Sequence, residues 1–524
     1  MASILTNNSA MVALQTLNGI NKNLDGIQSQ ISTGKKVGNA KDNAAVWAIS
    51  SVMQSDVKGF KGISESLSLG SSTVAVGRQA AETVTELLTD IKGKIVASQE
   101  ENVDRAKIQT DIEALTAQIN SVLGAAQFNG KNLVDSYDAT SVLSSLDRSG
   151  DGSVASSSIS FTGQNLTGEA GTVETADAID RIGTVADDGT YTVGAGATLS
   201  DAANDATLTL ATDLGAGDTL TIDFHDQQFT YTNNTGAAIT VADMTDIVAA
   251  GLANLGVEGV TTSSDGVSVV TVSSTNKFDS ITIQGSSGAS TTVDVDPDAG
   301  GAQAAAGAGN AATLVARAET VSLGGAGNTG GVVNEGDGFR ISLDGRNFDY
   351  TAKDGDTLND VATGLKRVID AGGIDGVSVK VNLSDDVNST PPTLQIDNDN
   401  AATIALTVDD GEGGVASGGL VGLDGIDVST AEGAENALAN IESLIQTSID
   451  AAAEFGSVQG RIDIQADFVS KLSDALKSGI GALVDANLEE ASARLQSLQV
   501  QQQLGIQALS IANQAPQSVL SLFR

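Results

Sequence analysis

Few residues in this chain have the chemistry that catalysis or metal binding requires. The single histidine, His225, precedes Asp226 in a segment typical of a hairpin loop, and no nucleophile motif lies near it. The chain has no cysteine, which excludes disulfides, thiol catalysis and Cys-ligated metal sites. It also has no HExxH motif, no P-loop and no GxGxxG motif after a strand. We therefore expect no enzymatic activity and no catalytic, cofactor-binding or metal-binding residues.

Two acidic runs are the remaining candidates for metal binding. Asp294, Asp296 and Asp298 alternate with other residues, and Asp397 and Asp399 alternate with asparagines. Alternating carboxylates can supply the oxygen ligands that Ca²⁺ prefers. Neither run completes the spacing of an EF-hand loop, so solvated turns are the favoured interpretation and calcium binding is the alternative.

The negative charge of the chain is concentrated in its middle. The chain has 524 residues and a formal net charge of −39. Residues 1–135 carry 12 basic and 13 acidic side chains, and residues 441–524 carry 5 and 9. Such an acidic chain is a poor ligand for nucleic acid or an anionic membrane. Near-neutral ends can pack against copies of themselves, although a general acidic drift of surface insertions would give the same asymmetry.

The beginning of the chain and its hydropathy bear on its location. The first residues have neither a basic segment nor a sustained apolar segment, so a Sec signal peptide is not expected. The chain contains no run of about 18 apolar residues, so no transmembrane helix is predicted. A chain of this length is expected to form two to four domains.

Both ends of the chain carry apolar residues at alternating intervals of three and four, which predicts helices with a narrow apolar seam. The first seam is Ala10, Ala13, Leu17, Ile20, Leu24, Ile27 and Ile31, and later seams are Val84, Leu88, Ile91, Ile95 and then Ile108, Ile112, Leu115, Ile119, Val122. The C-terminal seams are Val469, Leu472, Leu476 and then Leu488, Ala491, Leu495, Leu498, followed by Gln502. An ordinary bundle core would have the same spacing, but the position at both extreme ends favours pairing of the N- and C-terminal helices.

The middle of the chain is β-rich and contains an internal repeat. Residues Gly217–Thr232 and Gly336–Thr351 both begin Gly-Asp and share a Phe-x-Tyr-Thr sequence at the same spacing. Each segment has the pattern of a hairpin, and each precedes a short amphipathic helix and a strand that begins Val-Ser-Val. We interpret them as two ββαββ modules, and the Ala- and Gly-rich stretch Ala299–Ala312 as the linker between them.

These patterns predict an α+β multidomain fold. The N- and C-terminal helices form a coiled-coil or helical-bundle stem, and β-rich, ββαββ-like outer domains are inserted in it. The expected divisions are 1–45, N-terminal inner helix; 46–140, N-terminal part of the stem; 141–210, β-rich connection; 211–298, first module; 299–315, linker; 316–430, second module; 431–484, C-terminal part of the stem; and 485–524, C-terminal inner helix.

Three segments resemble motifs of bacterial flagellins. Ile31–Ala45 contains Ser-Thr-Gly and then Ala-Lys-Asp-Asn-Ala-Ala, and Gln127–Gly130 has the sequence Gln-Phe-Asn-Gly. Ala512–Arg524 is similar to the family's terminal Ala-Asn-Gln-x-Pro-Gln-x-Val-Leu-x-Leu-Leu-Arg pattern. The Gly-Asp-x-hydrophobic start of each central hairpin is similar to the flagellin hook IN motif.

The resemblance implies a structural subunit that polymerises into the flagellar filament for swimming motility. It implies an inner coiled-coil tube built from both ends, outward-facing inserted domains, and an extracellular location reached by type III export of the unfolded chain. The implied partners are copies of the chain itself, hook–filament junction and cap proteins, and an export chaperone at the C-terminal segment, but neither nucleic acid nor membrane.

We expect the assembly interface between subunits to use apolar residues of the helical ends. They are Leu17, Ile20, Leu24, Ile27, Ile31, Leu88, Ile91, Ile95, Leu488, Leu495, Leu498, Val519, Leu520, Leu522 and Phe523. Two other functions stay open. A hook–filament junction protein would have similar ends but be present in few copies, and a secreted adhesin would use the β-rich middle to bind a ligand.

Overall fold

The computed structural model describes residues 7–149, 153–176, 178–186, 190–194, 196–286, 293–296, 311–324, 332–385 and 390–522, and for 515–522 it describes the backbone alone. The chain divides into two units. Unit 1 comprises Met1–Ala75, Ala139–Phe161 and Gly456–Arg524, and unit 2 comprises Val76–Asp138 and Thr162–Phe455. Helices and a β-rich middle confirm the predicted α+β class.

The helices concentrate at the two ends of the chain. In the described residues they are α1 (Asn8–Thr33), α2 (Ala44–Ser98), α3 (Arg105–Ala125), α4 (Val241–Ala253), α5 (Leu358–Ala371), α6 (Ala431–Val484) and α7 (Leu488–Leu522), with a short 3-10 turn at Leu423–Gly425. The Asn7 side chain caps α1 by accepting a hydrogen bond from the Ala10 amide. Gly34, with φ +69°, ends this helix in the left-handed conformation that glycine adopts without strain.

The strands lie between α3 and α6. They are β1 (Gln127–Phe128), β2 (Lys131–Asn132), β3 (Ala139–Arg148), β4 (Val154–Thr162), β5 (Ile182–Val185), β6 (Tyr191–Val193), β7 (Ala197–Leu199), β8 (Asn204–Leu210), β9 (Thr219–Phe224), β10 (Gln227–Thr232), β11 (Val260–Ser264), β12 (Val269–Ser274), β13 (Ile281–Ser286), β14 (Val293–Asp296), β15 (Ala311–Leu314), β16 (Glu319–Leu323), β17 (Gly338–Leu343), β18 (Arg346–Thr351), β19 (Val377–Asn382), β20 (Thr393–Asn398) and β21 (Ile404–Gly411).

Unit 1 is built from α1, α7, the adjoining parts of α2 and α6, and the β3–β4 hairpin. The hairpin packs directly on α2, since a Cβ at Gly70 would lie 2.5 Å from a methyl group of Val142. Arg148 at the end of β3 pairs with Asp56, with Nη2 2.5 Å from Oδ1. The core side chains of this unit are Ile27, Val37, Phe60, Ile63, Leu67, Val74, Val142, Phe161, Val458, Ile462, Val469, Val484 and Ala491.

The helical part of unit 2 combines the end of α2, α3 and the beginning of α6. The Ser448 hydroxyl of α6 donates to the Ala81 carbonyl of α2 at 3.0 Å, and Arg105 Nε donates to the Ser98 carbonyl at 2.8 Å. Asn129 and Gly130 both have positive φ and form the turn between β1 and β2. The polar segment 99–102 lies between α2 and α3.

The β-rich part of unit 2 contains two modules that share a similar arrangement of two sheets and one helix. Module 1 (β8–β15 with α4) has sheet orders β10-β9-β13-β15 and β11-β12-β8-β14. Module 2 (β5–β7 and β16–β21 with α5) has sheet orders β18-β17-β21-β7 and β19-β20-β16-β5-β6. Both predicted hairpins and both predicted helices are present. Each module has its own apolar core, which includes Leu208, Phe224 and Val248 in module 1 and Phe339, Leu365 and Ile396 in module 2.

The pairing of the strands corrects two predictions about the repeat. Strand β15 pairs with β13 but lies within the predicted linker 299–315, whose residues 299–310 are outside the described residues. The two Val-Ser-Val sequences do not mark equivalent strands, because Val269–Ser274 is the second strand after its helix and Val377–Asn382 is the first. A shared sequence of three residues does not identify equivalent strands, because the order of strands in a sheet is set by long-range pairing.

The region 141–210 was predicted as a β-rich connection, but part of it belongs to module 2. Its segment 182–199 supplies β5 and β7, which pair with β16 and β21 of module 2. The chain thus enters module 2, leaves to form all of module 1, and returns to complete module 2. The remaining domain boundaries stay predictions.

A glycine of each module's helix lies directly beneath an aromatic ring. A Cβ added to Gly364 would lie 2.3 Å from a ring carbon of Tyr350, and one added to Gly251 would lie 2.0 Å from a ring carbon of Phe229. Rings this close must move to admit a methyl group, and such overpacking costs about 1–3 kcal/mol. We expect Gly364→Ala and Gly251→Ala to raise hydrogen-exchange rates throughout the affected module, even though alanine is the better helix former.

The matched control is Gly93→Ala in α2, where nothing lies within 4 Å of the added carbon. This control is expected to keep or improve stability. Exchange rates in Gly364→Ala as slow as those in Gly93→Ala would contradict the close ring packing.

Candidate assembly surface

Helices α1 and α7 pair along the predicted seam. The seam positions Ala10, Ala13, Leu17, Ile20, Leu24, Ile27 and Ile31 of α1 are all partly or fully buried. The corresponding positions of α7 are Ala491, Leu495, Leu498, Gln502, Gly505, Leu509 and Ala512. Asn7 Nδ2 donates to the Ala512 carbonyl at 2.8 Å, and at the other end the Ala486 amide donates to the Gly34 carbonyl at 2.9 Å. The helices are therefore antiparallel, and the predicted pairing of the two ends is confirmed within one chain.

A polar contact in this seam fixes how the two helices align. Gln502 Nε2 donates to Asn21 Oδ1 at 2.8 Å, and both side chains are partly buried. Beside them Gly505 allows close approach, since an added Cβ would lie 3.2 Å from a methyl carbon of Leu17. A polar pair inside an apolar seam is satisfied in one register only, so the contact between Gln502 and Asn21 favours this alignment of the two helices.

Unit 1 exposes many large apolar side chains outside this seam. In the described part of the unit they are Met11, Val12, Leu14, Trp47, Ile49, Val52, Leu69, Val154, Ile464, Phe468, Leu483, Leu488, Val500, Leu504, Ile506 and Ile511. We call this set the outer apolar face. Ile464 and Phe468 are 74% and 56% exposed and lie one helical turn apart on α6. On α7, the spacing of Val500, Leu504 and Ile511 forms a second stripe distinct from the seam.

The residues predicted for assembly fall into four groups. Leu17, Ile20, Leu24, Ile27, Ile31, Leu495 and Leu498 lie in the α1–α7 seam, and Leu488 is half-exposed at the start of α7. Leu88, Ile91 and Ile95 are fully buried in the core of unit 2. Their assignment to a surface is corrected, because heptad spacing does not distinguish a core from an interface. Phe523 and the side chains of Val519, Leu520 and Leu522 lie outside the described residues.

Most of the outer apolar face was not predicted from the sequence. Trp47, Ile464 and Phe468 do not belong to a heptad seam, so heptad spacing does not predict them as interface residues. The signal that could have found them is an apolar residue on the polar side of a helix whose seam is already assigned. Such residues gain nothing from the helix's own partner, and a contiguous group of them marks a second interface.

Three residues that the sequence offered for catalysis or metal binding lie in a turn or bind other side chains. His225 has φ +54° and occupies the turn between β9 and β10, where Nε2 lies 3.8 Å from Asp226 Oδ2. Within the described residues, no group of three or more His, Cys, Asp or Glu side chains is arranged to hold a metal ion. Asp397 and Asp399, which the sequence offered as calcium ligands, instead accept hydrogen bonds from Arg317.

A buried polar network lies in module 2. Tyr350 donates its hydroxyl to Asp356 Oδ2 at 2.8 Å, and Arg367 Nη1 donates to the Gly419 carbonyl at 3.2 Å. Burial raises the pKa of Tyr350 and of Asp356 above their ordinary values and lowers the pKa of Arg367. Because Tyr350 and Asp356 bind each other inside the module, we interpret the network as part of its core. None of the helices in the described residues has the length and apolar character of a membrane span.

Two family models match the ends of the chain, and known proteins match its full length. A family model for the bacterial flagellin N-terminal helical region matches residues 4–139, and one for the C-terminal helical region matches residues 438–523. Flagellin A of Rhizobium meliloti strain 1021 is 33% identical over 527 residues, which cover 100% of both chains. A flagellin of Brucella melitensis is 41% identical over 152 residues, or 29% of this chain and 54% of that protein.

Among solved structures, FlgL of Xanthomonas campestris aligns with 82% of this chain and 98% of its own at 9% identity, with a TM-score of 0.27. The full-length relative and the two terminal matches agree with the motifs at Ile31–Ala45, Gln127–Gly130 and Ala512–Arg524. This chain belongs to the bacterial flagellin family.

Proposed function

We propose that this flagellin, as the subunit of a flagellar filament, polymerises through the outer apolar face of unit 1. The observation that carries the proposal is that the helices of unit 1 have two sets of apolar side chains. One apolar stripe joins α1 to α7 inside the chain, and a second set of apolar side chains, Ile464 and Phe468 among them, stays exposed to water. Large exposed apolar sets of this kind mark protein–protein interfaces.

The energy of such an interface comes from apolar burial. A fully buried Leu, Ile or Phe side chain contributes on the order of 1.5–3 kcal/mol. A head-to-tail contact that does not close on itself produces an open helical polymer. The near-neutral ends of the chain keep like-charge repulsion low where copies meet, whereas the acidic middle favours contact with water.

The remaining features of the proposal follow from the family. The protein acts as a structural component and not as an enzyme. Its partners are copies of itself, the hook–filament junction and cap proteins, and an export chaperone that binds the C-terminal segment. It reaches the extracellular flagellum through the flagellar type III apparatus. The terminal helices order fully when their outer apolar face is covered by neighbouring subunits.

Electron microscopy of the purified chain, concentrated to promote assembly, tests the proposal. The unaltered chain is expected to form helical filaments. The double variant Ile464→Glu and Phe468→Glu is expected to remain monomeric, because assembly would then bury two charges without partners. Far-ultraviolet circular dichroism checks that the variant keeps its helices.

The matched control places the same charge on another exposed apolar residue. Val267 is 66% exposed, lies in module 1 and is not part of the outer apolar face. Val267→Glu is expected to assemble normally. Normal filaments from the folded Ile464→Glu, Phe468→Glu variant would refute the role of this face.

A further inference from the structure

The chain passes between modules 1 and 2 through two short crossings. Residues 200–203 lead from β7 of module 2 to β8 of module 1, and residues 315–318 lead from β15 back to β16. Asn204 Nδ2 donates to the carbonyls of Val315 and Ala316 at 3.1 Å, which holds the two crossings side by side. Two peptide crossings alone would allow the modules to rotate about this point.

Arg317, in the return crossing, is bound by module 2 on several sides. Its Nε and Nη2 donate to the two carboxylate oxygens of Asp397 at 2.8 and 2.6 Å, and Nη2 also binds Asp399. Nη1 donates to the Asp201 carbonyl of the outgoing crossing at 3.3 Å. The side chains of Arg317 and Asp397 are 7% and 0% exposed, so this bidentate pair is shielded from water.

A loop of module 1 makes a second set of contacts with module 2. Lys277, between β12 and β13, binds Asp399 and places Nζ 3.3 Å from the Ser378 hydroxyl. The neighbouring Phe278 ring lies 5.7 Å from Lys380 Nζ of module 2, within the range of a cation–π contact. Lys277 Nζ also lies 3.6 Å from Glu432 in the first turn of α6.

The charges in this cluster depend on one another. Partial burial alone would raise the pKa of the Asp399 carboxyl, but the hydrogen bonds from Lys277 and Arg317 lower it below its ordinary value. The hydrogen bond with Asp397 raises the pKa of Arg317. A buried ion pair of this type contributes little net stability, yet its geometry is strict because a misaligned pair leaves buried charge without a partner. The cluster therefore favours a single arrangement.

We propose that Lys277, Arg317, Asp397 and Asp399 form a clasp that holds module 1 in one orientation on module 2. Arg317 fixes the two crossings to Asp397 of β20, and Lys277 fixes the β12–β13 loop to Asp399, to Ser378 of β19 and to Glu432 of α6. The clasp adds a restraint that the two modules do not obtain from their separate apolar cores. Without it, module 1 stays folded but turns about the crossings.

Distance measurement between spin labels in the full-length monomer tests the clasp. The chain has no cysteine, so Val267→Cys in module 1 and Asp354→Cys in module 2 give two defined labelling positions, both exposed. Double electron–electron resonance should give one narrow distance distribution for the labelled chain. Adding Arg317→Met should broaden the distribution roughly twofold, because interdomain motion is the default once a restraint is lost.

The matched control is Arg340→Met. Arg340 also binds a carboxylate with two nitrogens, at 2.7 Å each from Asp349, but both residues belong to the β17–β18 hairpin of module 2. This control should leave the distribution narrow. An unbroadened distribution in folded Arg317→Met would overturn the proposal. If circular dichroism shows that Arg317→Met loses folded structure, the more exposed Lys277→Met decides: broadening supports the clasp, and a distribution as narrow as the control overturns it.

Discussion

Removal of residues 488–524 is expected to abolish filament formation completely. The deletion takes away α7, and with it the partner that covers the α1 seam from Ala10 to Ile31. Most of the stability of a helix in a protein comes from packing of its apolar face, so α1 should also lose its structure. The outer stripe of Val500, Leu504 and Ile511 is lost as well. Electron microscopy measures assembly, and hydrogen exchange of residues 8–33 should rise to the rate of an unfolded segment.

Point variants distinguish the loss of the α1–α7 seam from the mere shortening of the chain. Leu495→Asp with Leu498→Asp puts two charges into the α1–α7 seam and should block assembly as the deletion does. Asn234→Asp with Val267→Asp adds the same two charges to exposed positions of module 1, outside unit 1, and should assemble. Filaments of normal appearance from the deleted chain would show that α7 is dispensable and would contradict the assembly proposal.

The helical ends could be predicted from the sequence because their information is local. The intervals of three and four between Ala10 and Ile31 fix which side of α1 is apolar, and that side is the one that α7 covers. The same spacing does not distinguish a stripe that faces another subunit from one that is buried in the core of the chain. Leu88, Ile91 and Ile95 have seam spacing and are core residues, whereas Trp47 and Ile464 have none and are exposed.

The β-rich middle was predictable in its elements but not in its connections. The Gly-Asp starts and Phe-x-Tyr-Thr repeats identified both hairpins. A hairpin can be predicted in this way because its turn residues and its alternation of apolar and polar residues lie within a short segment. The edge strands differ between the modules. Module 1 completes its sheets with β14 and β15, which follow the other strands, and module 2 uses β5 and β7, which precede them by more than a hundred residues. Strands of three or four residues carry too little pattern to predict such distant partners.

Asp410→Ala is expected to detach the first strand of module 2. The Asp410 carboxylate is 5% exposed and accepts hydrogen bonds from four consecutive backbone amides, Ile179, Asp180, Arg181 and Ile182. Asp180 has φ +56°, a conformation that turns successive amides toward one anion. Alanine leaves these amides without their acceptor, with a local loss on the order of 4 kcal/mol. Because β5 begins at Ile182 and pairs with β16, exchange should accelerate in both strands.

Hydrogen exchange by mass spectrometry measures this effect, since the one tryptophan, Trp47, lies in unit 1 and does not report on module 2. Asp409→Ala is the matched control, because Asp409 is the adjacent carboxylate and its side chain is exposed. Asp410→Asn should fall between the two, since its amide keeps one acceptor oxygen but turns a donor toward other donors. Equal exchange of residues 182–185 in Asp410→Ala and Asp409→Ala would mean that the ladder between β5 and β16 holds the strand without the carboxylate. The expected difference instead assigns the attachment of this distant segment to a single buried side chain, which strand propensity alone does not reveal.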